Sequence, residues 1–357
     1  MKLLKKSLAL ALALVLVFAV AACAADPAPA PAPAPADPAP EATPEPAPEA
    51  DPEPAPEPAP EADETLLIGF SAMDGHNPFF VALEDAARQI IEAAGHDFIA
   101  LNPAMDNETQ LSQIEDMIAM GIDALLLAPV STDGIPPALM ALQNAGVPVI
   151  NFDSRVAQQD FDAGLVRTFV GSDNFNAGYV VGRDLVERFP DGGQIALLPS
   201  PTHDSVVQRM LGFHSALEGH DQFEIVFEQD GLGQTAVAEP LAADAITAFP
   251  DLIAIIAGND PSALGALSAA LAAGRTDIAI YGVDGAPGAK QAMAEAIGTG
   301  GGFMGSGAQS PITIGEWSAE YTLRLLVGGE DIPRDVPVVT FIINQDNVLD
   351  FDLDGWQ

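Results

Sequence analysis

The residues with the most chemistry to offer sit where apolar runs end. Ser71 lies in LLIGFSA, Asp153 closes VPVINFD, Asp173 closes TFVGSD and Asn174 follows it. Asn259 and Asp260 follow LIAIIAG, Asp284 closes IAIYGVD, and Gln309 follows the apolar-glycine run GGFMGSGA. A carboxylate accepts hydrogen bonds from neighbouring hydroxyls, and an amide both donates and accepts. Aromatic residues make up only 6% of the chain, yet Phe79 and Phe80 stand side by side behind Asn77 and Pro78. Flat aromatic faces beside such polar groups suit the C–H faces of a small hydroxylated ring. Taken singly, each of these polar residues reads better as a helix N-cap or a turn residue. The whole set at equivalent strand ends is harder to explain that way.

The elements that must position them follow from the apolar pattern. Ten strand candidates run through residues 66–72, 97–102, 123–129, 147–153, 168–173, 194–200, 223–229, 252–258, 278–284 and 336–343, with helix-like segments of about 11 to 18 residues between most pairs. Strands apolar on both faces and separated by helices imply parallel sheets in an α/β protein. Ligands in such sheets bind outside the carboxyl ends of the strands. Ten strands exceed one small sheet, so the expectation is two similar doubly wound lobes. Residues 154–167 are the main irregularity. In the first helix, Asn77 reads as the N-cap, Pro78 as its first residue and Gly95 as its stop. Phe80, Leu83, Ala87, Ile90, Ile91 and Ala94 form one buried stripe. Phe79 lies at its edge, roughly 70° from the centre. Phe80 therefore reads as core, and Phe79 as freer to face a ligand.

Catalytic and metal constellations are sparse. The five histidines (His76, His96, His203, His214, His220) have no metal-binding spacing, and no G-x-S-x-G elbow occurs. Asp153 and Asp284 are the one pair that a glycosidase reading could use. GGGFMG at 300–305 satisfies G-x-G-x-x-G but follows a helical segment rather than a strand. DFDLDG at 350–355 starts like a calcium loop but has no carboxylate at the twelfth position. No enzyme activity, metal or cofactor is expected.

Charge and the leading segment set the compartment. The formal net charge is −38, and residues 65–357 hold 40 acidic and 10 basic residues, with Lys290 their only lysine. Such a charge disfavours nucleic acid and anionic lipid as partners. Residues 1–23 read as a signal peptide: a basic MKLLKK, an apolar run, then small residues up to Cys23, the only cysteine. Val20-Ala21-Ala22-Cys23 resembles a bacterial lipobox, which implies lipidation at Cys23. Residues 24–64 carry 15 prolines, 11 acidic residues and no basic one. They read as an extended tether with a reach of about 120 Å. No second apolar run reaches the roughly 18 residues of a membrane span.

Residues 65 to about 343 resemble the periplasmic sugar-binding proteins of ABC importers, nearest to the ribose-binding type. The carriers are HNPFFVALEDAA, VINFDS, FVGSDNFNAGYVVG, QRMLGF, AIIAGNDPSALGAL, IYGVDGAP and GAQSPITIG, in the family's order and spacing. The resemblance implies two α/β lobes joined by a three-strand hinge and closing on a sugar. The first lobe is expected over 65–172 plus 309–335, the second over 173–308 plus 336–357. It implies sugar contacts at Asn77, Phe79, Phe80, Asp153, Asn259, Asp284 and Gln309. Val207 and Ser154 stand where the ribose-binding pattern has arginines, and Leu232 and Gly233 stand near its second-lobe aromatic. Arg155 and His76 are the expected compensating contacts, and Arg209 is expected to be structural. The implied partners are a monosaccharide-like ligand and ABC permease subunits, for a monomer anchored to the cell membrane through Cys23. A nucleoside or furanose signal molecule, or presentation of the ligand to a membrane sensor, would use the same fold.

Overall fold

The computed structural model describes residues 65–357. The signal peptide expected over 1–23, with Cys23, and the tether expected over 24–64 lie outside the described residues. The first half alternates β1 (Leu67–Ser71), α1 (Pro78–Ala93), β2 (Asp97–Ala100), α2 (Asn107–Met120), β3 (Ala124–Leu127), α3 (Pro136–Ala145), β4 (Val149–Phe152), α4 (Gln158–Asp162) and β5 (Thr168–Ser172). The second half repeats the scheme with α5 (Asn174–Arg188), β6 (Gly193–Leu198), α6 (Asp204–Ala216), β7 (Phe223–Glu228), α7 (Thr235–Ala248), β8 (Leu252–Ala257), α8 (Asp260–Ala272), β9 (Ala279–Asp284), α9 (Pro287–Ala296) and β10 (Gly302–Ala308). The chain closes with α10 (Pro311–Leu326), β11 (Asp335–Val338) and β12 (Phe341–Asn344).

Two six-stranded sheets result, ordered β2-β1-β3-β4-β5-β11 and β7-β6-β8-β9-β10-β12. The winding is the same in both, and every pairing is parallel except β12 against β10. Central strands are apolar on both faces, as ALLL in β3 and AIYGVD in β9, and all their residues are buried. Helices cover both faces of each sheet. Close helix approach depends on missing side chains: a Cβ at Gly178 of α5 would overlap the Arg209 carbonyl of α6, and one at Gly315 of α10 would overlap the Leu83 carbonyl of α1. These contacts assign α5 to the second lobe and α10 to the first.

The chain crosses between lobes at residue 173, at 309–310 and at 339–340. The crossings are tied together. Thr340 Oγ1 donates to the Asp173 carbonyl at 3.0 Å, and Asn176 Nδ2 donates to the Thr340 carbonyl at 3.0 Å.

One expectation is corrected here. Residues 336–343 are not a single strand, and 336–338 do not belong to the second lobe. β11 pairs with β5 at the edge of the first sheet, and β12 pairs with β10 in the second. Pro337 suits an edge strand, which needs no donor on its open side, and Val339 at the break is 79% exposed. The irregular stretch 154–167 contains only the short α4.

Candidate functional site

The carboxyl ends of both sheets face one cavity of about 50 Å³. The first lobe lines it with Met73, Asp74, Asn77, Phe79, Phe80, Met105 and Asp153. The second supplies His203, Ser205, Val206, Arg209, Leu232, Gly233, Gln234, Asn259 and Asp284.

Backbone strain is concentrated here. Among the described residues, five non-glycine positions have positive φ, and four of them line this cavity: Met105 (64°), Asp153 (54°), Leu232 (51°) and Asp284 (139°). L-residues adopt such values at a cost of order 1–3 kcal/mol, and they persist where the surrounding structure over-determines them. Asp153 follows β4 and Asp284 ends β9, the fourth strands of their lobes. The two carboxylates thus enter the cleft from equivalent positions, each through a kink at positive φ.

Their surroundings differ. Asp284 Oδ1 accepts from Gln309 Nε2 at 2.8 Å and lies 3.6 Å from Arg209 Nη1. Asp153 Oδ1 is buried and has no hydrogen-bond partner. Arg209 is 4% exposed and gives its short bonds to neutral acceptors, Nε to Asn174 Oδ1 at 2.8 Å and Nη1 to the Gly258 carbonyl at 2.8 Å. Burial pushes the Asp153 carboxyl up to about 6, with Arg209 pulling the other way and Asp204 adding to the rise. Burial also raises Asp284 well above the usual carboxylate range, opposed by Arg209 and reinforced by Asp260 and Asp153. His203 is pulled down by burial, and its Nδ1 lies 2.8 Å from Ser200 Oγ.

The structure brings together six of the nine expected contacts. Asn77 and Asn259 cap α1 and α8 through their Oδ1 atoms, so the N-cap and cleft readings hold together for both. Asn259 Nδ2 also donates to the Gly233 carbonyl at 3.0 Å. Phe79 and Phe80 both line the cavity, at 3% and 6% exposure and ring centroids 5.4 Å apart. Phe79 is thus as buried as Phe80, although it lies off the helix stripe. Trp356, from a segment 277 residues later, meets it edge-on at 5.9 Å. Asp153 and Asp284 complete the six.

Three expectations shift. Gln309 is fully buried behind Asp284 rather than in the cavity wall. Arg155 faces away: it bonds Asp335 at 2.8 Å and stacks over Phe169 at 4.0 Å, in a separate depression. His76 is an exposed rim residue, held by Asp74 at 3.2 Å and Asn102 at 3.3 Å. Among the other strand-end polar residues, Asp173 caps α5, Ser71 accepts from Gln110, and Asp260 accepts from Ala286 N and Ser306 Oγ.

Sequence reasoning missed three features. Arg209 was expected to be structural, and it is both structural and the cavity's guanidinium. His203 precedes α6 without apolar or motif context to flag it. The closing segment carries Trp356 against Phe79, and Gln357 Nε2 donates to the backbone carbonyls of Asp284, at 2.9 Å, and Gln309. Lys290 holds that segment through the Gly355 carbonyl at 2.7 Å.

The comparisons with known proteins agree with this geometry. The ribose import binding protein of Escherichia coli is 28% identical over 278 residues, covering 78% of this chain and 89% of that one. The D-ribose/D-allose-binding protein of Pseudomonas aeruginosa is 32% identical over 215 residues, 58% of this chain and 67% of its own. Among solved structures, an ABC transporter solute-binding protein from Mycobacterium smegmatis with bound glycerol superposes with TM-score 0.74 at 30% identity, covering 80% of this chain and 96% of that one. One from Actinobacillus succinogenes with bound D-allose gives 0.72 at 26% identity, covering 80% and 100%. The periplasmic binding protein domain profile matches residues 68–330, and this chain belongs to that family.

Proposed function

We propose that this protein is an extracytoplasmic solute-binding lipoprotein, not an enzyme. It captures one monosaccharide-like ligand between its lobes and hands it to the permease of an ABC importer. The carrying observation is the cavity itself. It pairs two apolar rings from α1 with amides and carboxylates from both lobes, at the carboxyl ends of two sheets joined by three short crossings. Phe79 and Phe80 pack on the ring's C–H face, while Asn77, Asp153, Asn259 and Asp284 bond its hydroxyls. Gln309 holds Asp284 in place rather than touching the ligand. Residues 65–172 with 309–338 act as one body and 173–308 with 341–357 as the other. The ligand selects the closed arrangement by its greater affinity for it. Working as a monomer, the protein is held at the membrane through Cys23, with residues 24–64 as the spacer.

A thermal-shift screen of the purified protein against pentoses, hexoses, polyols and nucleosides tests this. A ligand at 100 times its Kd stabilises by about 2.7 kcal/mol, which raises the Tm by several degrees. A shift with nucleosides and with no sugar or polyol would overturn the ligand class, and chemical turnover of a bound sugar would overturn the binding role.

A further inference from the structure

We propose that the cleft is built for a saccharide or polyol carrying a protonated amine, seated against Asp153. This rests on the reading of the cleft as a saccharide site and narrows its ligand. The argument is one of charge and unfilled bonds. Three carboxylates line the cavity, Asp74, Asp153 and Asp284, and the only guanidinium among the lining residues is Arg209. That guanidinium gives its 2.8 Å bonds to the Asn174 amide oxygen and the Gly258 carbonyl, and lies 3.6 Å from the nearer Asp284 oxygen. Asp153 Oδ1 receives no hydrogen bond, although the residue is only 4% exposed.

No other basic side chain of the described residues supplies the missing charge. Arg155 is bonded to Asp335 outside the cavity. His76 is turned to Asp74 on the rim. Lys290 is bonded to the Gly355 carbonyl beneath α9. His203 does line the cavity, but burial lowers its proton affinity.

One guanidinium, hydrogen-bonded to neutral acceptors, is shared by Asp153 and Asp284, and a buried carboxylate with only that partial compensation is costly unless it takes up a proton. A ligand hydroxyl would give Asp153 one hydrogen bond and no charge. An ammonium would give it a positive charge and up to three donors.

The groups facing Asp153 are Arg209 and Asp204 of α6, His203 at the start of α6, and Asp284 of β9. Seating the ammonium requires Asp153 to be ionised. Affinity for an amine therefore rises with pH through the Asp153 titration near 6. It should be about tenfold weaker at pH 5 than at pH 7. A neutral sugar needs no such ionisation and lacks this dependence.

The test is titration calorimetry on the purified protein with matched pairs: D-glucosamine and D-glucose, D-galactosamine and D-galactose, 1-amino-1-deoxy-D-glucitol and D-glucitol. The expected result is at least one pair whose amine binds tenfold or more tighter than its neutral twin. That preference should weaken tenfold at pH 5 and vanish in Asp153→Asn, whose near-isosteric side chain keeps the fold. The proposal is overturned if neutral members bind as tightly as their amines, which leaves the saccharide reading standing. If no member of any pair binds, the proposal is overturned, and the saccharide reading is decided by the wider screen of pentoses, hexoses and polyols.

Discussion

The fourth strands of the two lobes end in the same way and serve different ends. β4 leads into Asp153 and β9 ends in Asp284, each carboxylate at a positive φ and each facing one cavity. Asp284 is embedded: Gln309 bonds it, Arg209 stands 3.6 Å away, and Gln357 donates to its carbonyl. Asp153 has an open Oδ1 and no protein donor for it. The second lobe therefore arrives with its carboxylate already held, whereas the first offers one that the ligand must complete. The rest of the walls follow the same division. Phe79, Phe80, Met73 and Met105 of the first lobe are packing surface, and Arg209, Asn259 and His203 of the second are each hydrogen-bonded within their own lobe, to the Gly258 carbonyl, the Gly233 carbonyl and Ser200.

Removing the embedded carboxylate should have the larger effect. Asp284→Ala strips Gln309 Nε2 of its acceptor in a fully buried place. An unsatisfied buried donor costs about 1–3 kcal/mol, and ligand affinity should fall at least a hundredfold. Calorimetric binding together with thermal melts checks both halves. Binding within tenfold of wild type would show that Asp284 does not touch the ligand.

Trp356→Ala comes next, because it removes the ring that covers Phe79 and bridges the two apolar cores. Trp356 is half-buried. Its loss should destabilise by about 2 kcal/mol, less than the 3–5 kcal/mol of a fully buried tryptophan. Affinity should drop several-fold as Phe79 loosens. Denaturant melts and ligand titration read the two effects separately, and an unchanged affinity would mean that Phe79 holds its place without support.

The open carboxylate should act with the opposite sign on the unliganded protein. Asp153 has a folded-state pKa near 6, above its unfolded value. Between about pH 4 and pH 6 the folded form keeps a proton that the unfolded form has lost. Stability from this group is therefore full below pH 4 and declines as pH rises through 6. At pH 7.5, Asp153→Asn should stabilise the unliganded protein by about 2–3 kcal/mol, and it should flatten the pH dependence over that window. Melts of the two proteins at pH 4.5, 6 and 7.5 measure this. A destabilised Asp153→Asn at pH 7.5 would mean that the carboxylate is held by something other than the ligand.

These contrasts also mark how far the sequence could be read. Both sheets and nearly every strand were legible, because strands apolar on both faces leave runs such as LLIGF and AIYGV that nothing else explains. The break inside 336–343 was not, since a sheet change costs no polarity in the sequence: VPVV and FII are equally apolar. Asn77, Phe79, Asp153, Asn259 and Asp284 stood out at strand ends and a helix N-terminus, whereas periodicity claimed Phe80 for the core and only the family resemblance put it in the cleft. What escaped was tertiary. Arg209 reaches the cleft from within α6, and Trp356 reaches Phe79 across most of the chain, distances that no local pattern encodes.

Arg155 is the smallest and sharpest case. It follows Asp153 by two residues, and proximity in the chain made it a natural substitute for the arginine that the ribose-binding pattern has at Ser154. The kink at Asp153 and the turn after it carry the chain away from the cleft. The guanidinium ends between Phe161 and Phe169, at 4.9 and 4.0 Å, and bonds Asp335 of the edge strand β11. Arg155→Ala should therefore cost about 1 kcal/mol of stability through the lost stacking and half-exposed ion pair. Ligand affinity should stay within twofold, and His76→Ala should leave both quantities nearly unchanged. A fall of tenfold or more in affinity for Arg155→Ala, with stability preserved, would place Arg155 in the ligand's charge balance. Asp153 would then no longer be the uncompensated member of the pair.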